Sequence, residues 1–156
     1  MITVNQRAFL DMITHSELGP ALLAVSDNGY NVIVGSTPSH PDLFDDYSDH
    51  PRKFVAINPH LTSSAAGRYQ QLARNYDFYK KALKLPDFSP DSQDAIALQQ
   101  IKECKAIPDI EAGNFTRAVS LCAHIWASLP GAGYGQHENK LADLQNAYLA
   151  AGGSLA

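Results

Sequence analysis

Proline and glycine cut this chain into short runs, and their placement constrains the fold more than any other feature. From Asn5 to Leu18, apolar residues at Phe9, Leu10, Met12 and Ile13 describe one amphipathic helix, because residues three and four apart share a helical face. Leu18-Gly19-Pro20 ends it: glycine accepts the left-handed cap and proline cannot continue. Ala21 to Asn28 reads as a mixed connection. Tyr30 to Val34 is β-branched, closed by Gly35-Ser36, and reads as a strand. Pro38 and Pro41 make Thr37 to Asp42 a loop. Leu43 to Tyr47 and Lys53 to Ile57 could pair with the first strand in a small antiparallel sheet, and Asn58-Pro59 breaks that run.

Helical spacing dominates from about Ala65 onward. Tyr69, Leu72, Tyr76, Tyr79 and Leu83 predict one long helix ending before Pro86. Ser89-Pro90 supplies an N-cap serine and a first-turn proline for the next, which carries Ala95, Ile96, Leu98 and Ile101. Pro108 to Gly113 is a short helical turn. Asn114 to Leu129 presents Phe115, Val119, Cys122, Ile125 and Trp126, and His137 to Ala151 is a last helix capped by Gly152-Gly153. Helix, small sheet, then several helices is an α+β plan. A single domain over residues 1–156 is expected, mostly helical, with a cleft between the sheet and the helical part as the place for a ligand.

Composition excludes more than it identifies. The net charge of −4 gives no global field for nucleic acid. Arg52, Lys53, Arg68, Arg74, Lys80, Lys81 and Lys84 nevertheless cluster against the single acid Asp77. They read either as solvated helix faces or as a cationic lip for an anionic polymer. Cys104 and Cys122 are expected to be reduced and mostly buried, although a single bridge between two helices is possible. The N-terminus has no basic segment followed by an apolar run, so no signal peptide is expected, and no stretch approaches a membrane span. The six histidines lack zinc spacing, and His137-Glu138 lacks the second histidine of a zincin motif. No nucleophile elbow or phosphate loop is present, and Asp45 to Asp49 lacks the glycine and glutamate of a calcium loop. No metal or cofactor is expected.

Glu17 is the candidate catalytic group. It shares a stripe with Leu10 and Ile13 while Asp11 and His15 point away, which places a carboxylate inward near the negative end of a helix dipole. Desolvation and the dipole would both raise its pKa, and a raised carboxylic acid is what a glycosidic bond needs as proton donor. The alternative is a glutamate at the stripe edge, paired with an arginine or reaching water. Two small-residue segments are candidates for a ligand. Ser63 to Gln70 enters the expected long helix with Gln70 exposed, and Pro130 to Gln136 offers Tyr134 on a glycine-rich loop. A helix cap and a tight interhelical turn would explain them equally well.

With Glu17, these segments resemble a known family. The matching stretches are Ala8 to Met12 leading to Ser16-Glu17, Gly29 to Gly35, Asp46 to Arg52, Ala66 to Gln70, Asp87 to Pro90, Ile125 to Gln136, and Ala151 to Gly153. In that order they resemble the bacteriophage lambda-type endolysins, lytic transglycosylases of the lysozyme superfamily. The resemblance implies a lysozyme-like fold and cleavage of the β-1,4 bond between N-acetylmuramic acid and N-acetylglucosamine in peptidoglycan. It implies Glu17 as the catalytic acid, giving a 1,6-anhydro product without a second carboxylate. Gln70 and Tyr134 are the implied sugar-positioning residues, with Ser64, Tyr69 and Tyr30 beside them. Leu18-Gly19 stands where the family has Gly-Thr, Pro20 to Asn28 is altered, Thr37 to Asp42 is an insertion, and Cys104 replaces a glycine.

Two other functions fit the same residues. A hydrolytic muramidase would use water and an aspartate such as Asp46 or Asp49, and a wall-binding module would use no acid at all. The family resemblance further implies a monomer acting on peptidoglycan strands, without nucleic acid or stable membrane association. It would accumulate in the host cytoplasm and reach the periplasm through a pore made by another phage protein.

Overall fold

The computed structural model describes all 156 residues. In chain order the elements are α1 (Val4–Leu18), α2 (Pro20–Ala24), β1 (Val55–Asn58), β2 (Leu61–Ser63), α3 (Ala73–Leu83), α4 (Pro90–Glu103), α5 (Ile107–Glu111), α6 (Phe115–Cys122) and α7 (Leu141–Ala150). This is the expected mostly helical α+β plan with one small antiparallel sheet. The chain forms two compact units, one of Met1–Glu17 with Ala97–Ala156, the other of Leu18–Ile96. No helix is long and apolar enough to cross a membrane.

The first unit is organised on α1, whose Ala8, Phe9, Leu10, Met12 and Ile13 are fully buried. Asn5 anchors its start: the side-chain amide donates to Ile110 O at 3.0 Å, and its oxygen accepts from Ser154 N at 3.0 Å. Phe9 meets Phe115 edge-on at 6.3 Å, and Phe115 meets Tyr148 at 5.0 Å. Such pairs add a fraction of a kcal/mol beyond buried area and fix ring orientation. Gly153 lies against the Tyr148 ring, where a Cβ would collide with it.

Two helices of this unit are shorter than periodicity suggests. The run expected to be helical to Leu129 leaves the α-helix after Cys122 and continues in three-residue turns, Ile125 N to Cys122 O and Leu129 N to Trp126 O, both 3.0 Å. Trp126 and Leu129 are both buried along this tighter run. The last helix begins at Leu141, not His137, because Asn139 donates its backbone N–H to Ser128 O at 2.8 Å.

The second unit corrects the sheet. Tyr30 to Val34 forms no extended strand. Gly29 and Gly35 flank it at φ 86° and 85°, so the extended run is short and pairs only through single bridges, Val32 with Leu43 and Ile33 with Ala66. Val34 N donates to Ala65 O at 3.0 Å and Phe44 N to Asn31 O at 3.0 Å. The sheet itself is a hairpin, β1 against β2, turning after Asn58, so the Lys53 to Ile57 segment pairs with Leu61 to Ser63 and not, as expected, with Tyr30 to Val34. Pro20–Ala24 is a short helix in place of a mixed connection, using Pro20 at its first turn. The long helix expected from Ala65 starts only at Ala73. Gly67 at φ 82° and Gln70 at φ 50° cannot lie in a right-handed helix.

Two buried polar side chains hold this unit together. Gln93 Oε1 accepts from Arg68 N at 2.9 Å, while Nε2 donates to Phe88 O at 2.9 Å and Tyr30 O at 3.0 Å. A Cβ at Gly67 would strike that amide. His50 Nε2 lies 2.8 Å from Gln71 O, a pure acceptor, and Nδ1 accepts from Arg52 N at 3.0 Å. That pair of bonds requires a neutral ring protonated at Nε2. The imidazole packs against Phe88 at 4.9 Å and Tyr76 at 5.9 Å.

Burial holds the His50 pKa below its ordinary 6.5. The neutral ring therefore stabilises the fold above about pH 6.5, and that contribution is lost as pH falls through the lowered value. We expect His50→Gln to lose about 1–3 kcal/mol in urea denaturation near neutral pH. The wild-type protein should weaken more steeply than the variant on acidification to about pH 5.

Candidate active site

Glu17 sits in the last turn of α1, half-buried, on a helix whose inward face is fixed by the aromatic and aliphatic packing described above. Its carboxyl is lifted by burial from 4.5 to about 7, against the pull of a hydrogen bond from Ser128. The direction is the one expected from the stripe, and desolvation is its chief cause. No arginine pairs with it: the hydrogen bond it accepts is from Ser128 Oγ to Oε1, at 3.1 Å.

Ser128 belongs to a small polar group. Its Oγ lies 2.8 Å from Ser16 Oγ, and Asn139 Nδ2 donates to Ser16 O at 2.9 Å and Ser16 Oγ at 3.0 Å. Between Ser128 and Asn139 runs the glycine-rich loop. Gly131, Gly133 and Gly135 take φ of 87°, 75° and 72°, conformations that ordinary side chains avoid. The Glu138 carboxylate accepts from Gly131 N at 2.9 Å and Gly133 N at 3.1 Å, which holds it below the usual carboxylate range. Tyr134 donates its hydroxyl to His124 O at 2.9 Å while its ring stays 56% exposed. The ring face, and not the hydroxyl, is what this loop offers.

The remaining candidates, Tyr30, Ser64, Tyr69 and Gln70, lie in the second unit, and all are partly or wholly buried. Tyr69 is buried, and its hydroxyl donates to Asp94 Oδ1 at 2.5 Å; Tyr30 donates to the same oxygen at 3.0 Å. The Arg68 guanidinium, donating to Asn28 O at 3.0 Å, stands over both rings, 5.1 Å from Tyr30 and 5.9 Å from Tyr69. Ser64 is buried and accepts from Ala73 N at 3.0 Å, capping α3 from outside it. Gln70 is half-buried, not exposed, and its Nε2 donates to Gly67 O at 2.9 Å. Sequence reasoning did not single out Asp94, Ser128 or Asn139, gave Arg68 only as one of a cationic cluster, and weighed Glu138 only within a zincin motif. Ser128 lay within a stretch already singled out, but nothing in the pattern marked Asn139 or Asp94.

Part of the cationic run is spent internally. Arg52 pairs with Asp49 at 2.8 Å and Asp77 at 2.6 Å, Lys53 with Asp42 at 2.5 Å, and Arg68 is buried. Arg74, Lys81 and Lys84 remain exposed. Cys104 and Cys122 are free thiols, and burial pushes Cys122 well up. No group of three or more histidine, cysteine or acidic side chains is arranged to hold a metal.

This mostly helical α+β chain with a small hairpin and one desolvated glutamic acid has the lysozyme-like fold, as its likeness to two solved structures shows. Its backbone superposes on bacteriophage lambda lysozyme complexed with a chitohexasaccharide with a TM-score of 0.91, at 50% identity, covering 100% of this chain and 99% of that one. A second structure, lysozyme from bacteriophage lambda, gives 0.84 at 49% identity, again covering 100% and 99%. The chain belongs to the endolysin family, whose sequence model matches residues 7–155. It is 51% identical to the endolysin of Escherichia phage lambda, covering 99% of this chain and 97% of that protein. It is 50% identical to the endolysin of Escherichia phage P2, covering 96% and 93%.

A raised carboxyl is a stability statement as well as a chemical one. The folded state holds more protons between about 4.5 and 7, so stability falls as pH rises through that window. We expect Glu17→Gln to be more stable than wild type by about 1–3 kcal/mol near pH 8, after allowance for its partial solvent access. The advantage should vanish near pH 4, as read by thermal melts at the two pH values.

Proposed function

We propose that this endolysin is a peptidoglycan lytic transglycosylase with Glu17 as its acid and base. The observation that carries this reading is the Glu17 carboxyl, raised to about 7 by burial without a charged partner. Protonated Glu17 gives its proton to the oxygen of the β-1,4 bond between N-acetylmuramic acid and N-acetylglucosamine as the bond to the anomeric carbon breaks. The carboxylate left behind takes the proton from the 6-hydroxyl of the same muramic acid, whose oxygen closes on the anomeric carbon. The products are a free 4-hydroxyl on N-acetylglucosamine and a 1,6-anhydro muramic acid, and Glu17 ends protonated. Because the nucleophile is tethered, proximity replaces a second carboxylate.

The aspartates that a hydrolytic muramidase would need are poorly suited to the role. Asp46 accepts from Ser48 N at 2.8 Å, and Asp49 is held by Arg52. Both are pulled below the ordinary carboxylate value, Asp46 by the Ser48 backbone bond and Asp49 by the Arg52 guanidinium. A base so stabilised accepts a proton from water reluctantly. The oligosaccharide bound to the lambda lysozyme supports a glycan substrate here. We assign sugar contact to the exposed Tyr134 ring and to Gln70, with Tyr30, Tyr69 and Ser64 supporting them from more enclosed positions. The whole chain acts as one catalytic domain and monomer on wall glycan, after cytoplasmic accumulation and release to the periplasm through another phage protein's pore.

Mass spectrometry of a digest of purified peptidoglycan tests the chemistry. We expect muropeptides lighter by one water than hydrolysis products, ending in anhydro-muramic acid. Reducing-end muramic acid would instead establish the muramidase. Glu17→Ala should lower lysis by at least about a hundredfold while leaving the fold intact. Undiminished lysis by that variant would identify a wall-binding module.

A further inference from the structure

The hydrogen bonds around Glu17 have a direction, and that direction assigns work to three residues outside the catalytic acid. Asn139 Nδ2 faces Ser16 O at 2.9 Å and Ser128 O at 3.4 Å. Carbonyl oxygens only accept, so the amide nitrogen, and not its oxygen, must occupy this position. The same nitrogen reaches Ser16 Oγ at 3.0 Å. Having accepted there, the Ser16 hydroxyl has its own hydrogen for Ser128 Oγ at 2.8 Å, and Ser128 then has its hydrogen for Glu17 Oε1 at 3.1 Å. Every donor in the chain points toward the carboxyl: Asn139 to Ser16, Ser16 to Ser128, Ser128 to Glu17.

We propose that Ser128, oriented by Ser16 and Asn139, is a positioning residue that keeps Glu17 Oε1 an acceptor and so confines the transferable proton to Oε2. This rests on Glu17 acting as the acid. A carboxylic acid has one proton and two oxygens, and a donor fixed on one oxygen makes the other the protonated one. Without that donor, the acid would divide its proton between two orientations, one of them turned toward Ser128. The arrangement serves both halves of the reaction. Oε1 accepts from Ser128 whether Glu17 is acid or carboxylate, so Oε2 can give up a proton and take one back without rearranging its neighbours. The backbone bond from Asn139 N to Ser128 O at 2.8 Å holds the two residues in register across the glycine loop, so loop and acid share one anchor. No charged side chain contributes to the Glu17 shift; burial and the Ser128 hydroxyl are its two causes.

Steady-state kinetics on solubilised glycan strands across pH tests this. Ser128→Ala should lower kcat about tenfold, the worth of one hydrogen bond to a reacting group, with KM within twofold. Its alkaline limb should move to higher pH, because the removed bond favours the carboxylate. Simple loosening of the loop would admit water and move that limb the other way. Ser128→Thr, which keeps the hydroxyl, should restore kcat and the wild-type limb. Ser16→Ala, on a helix that favours alanine, should show a smaller fall of kcat in the same direction and decides the matter if Ser128→Ala does not fold. A wild-type kcat, or a loss confined to KM, in a folded variant overturns the assignment. The product separates the two readings. Slower formation of the anhydro sugar in these variants bears on positioning alone, whereas loss of the anhydro product in wild type would remove the reaction itself.

Discussion

Keeping one carboxyl group largely out of water, yet reachable, is the constraint on which the rest of this structure depends. Water would return Glu17 to an ordinary carboxylate, ionised at neutral pH and unable to serve as the proton donor proposed for it. Desolvation costs free energy, which must be supplied by an anchor that cannot relax. α1 is that anchor: its Ala8 to Thr14 stretch is almost wholly buried, and the Asn5 side chain ties its start to Ile110 and Ser154. The far end of the same helix then presents Ser16 and Glu17 to Ser128 and Asn139 with no charged group intervening.

Local signals in the sequence were legible where one residue type decides the outcome. Gly19-Pro20 ended α1, Asn58-Pro59 ended the strand run before it, and Pro90 opened α4, since each depends on backbone sterics carried by the residue itself. The misreadings share a different cause. Tyr30 to Val34 has strand composition, and its expected pairing with the Leu43 segment survives as a single bridge, but its other neighbour is Ala65 to Gly67 in place of Lys53 to Ile57, a pairing set by distant chain. Ala65 to Leu72 carries helical spacing, yet Gln93 draws Arg68 N to its side-chain oxygen and Gly67 turns left-handed beside it. Tertiary hydrogen bonds overrode periodicity there, and no window of neighbouring residues could announce them.

The site divides along the same line. The raised carboxyl of Glu17 was legible because burial follows from its place on the α1 stripe, a local property. Its hydrogen-bonded neighbours were not, because Ser128 and Asn139 lie over a hundred residues away and are commonplace surface types in any sequence. Tyr69 and Ser64 were singled out through family resemblance, and in the structure both are tied into the scaffold: one shares Asp94 with Tyr30, the other caps α3. Glu138 gives the glycine-rich loop its shape through two backbone amides, which explains how a segment with so little side-chain bulk holds Tyr134 in place.

The central claim is that burial alone keeps Glu17 protonated into the neutral range, and direct titration of its side-chain carboxyl carbon by NMR tests it most directly. With carbon-13 in glutamate, the Glu17 resonance is identified by its absence in Glu17→Gln and followed from acid to alkaline pH. The expected midpoint is about 7, well separated from the other glutamates. A midpoint near the ordinary 4.5 would contradict the assignment of Glu17 as a desolvated acid.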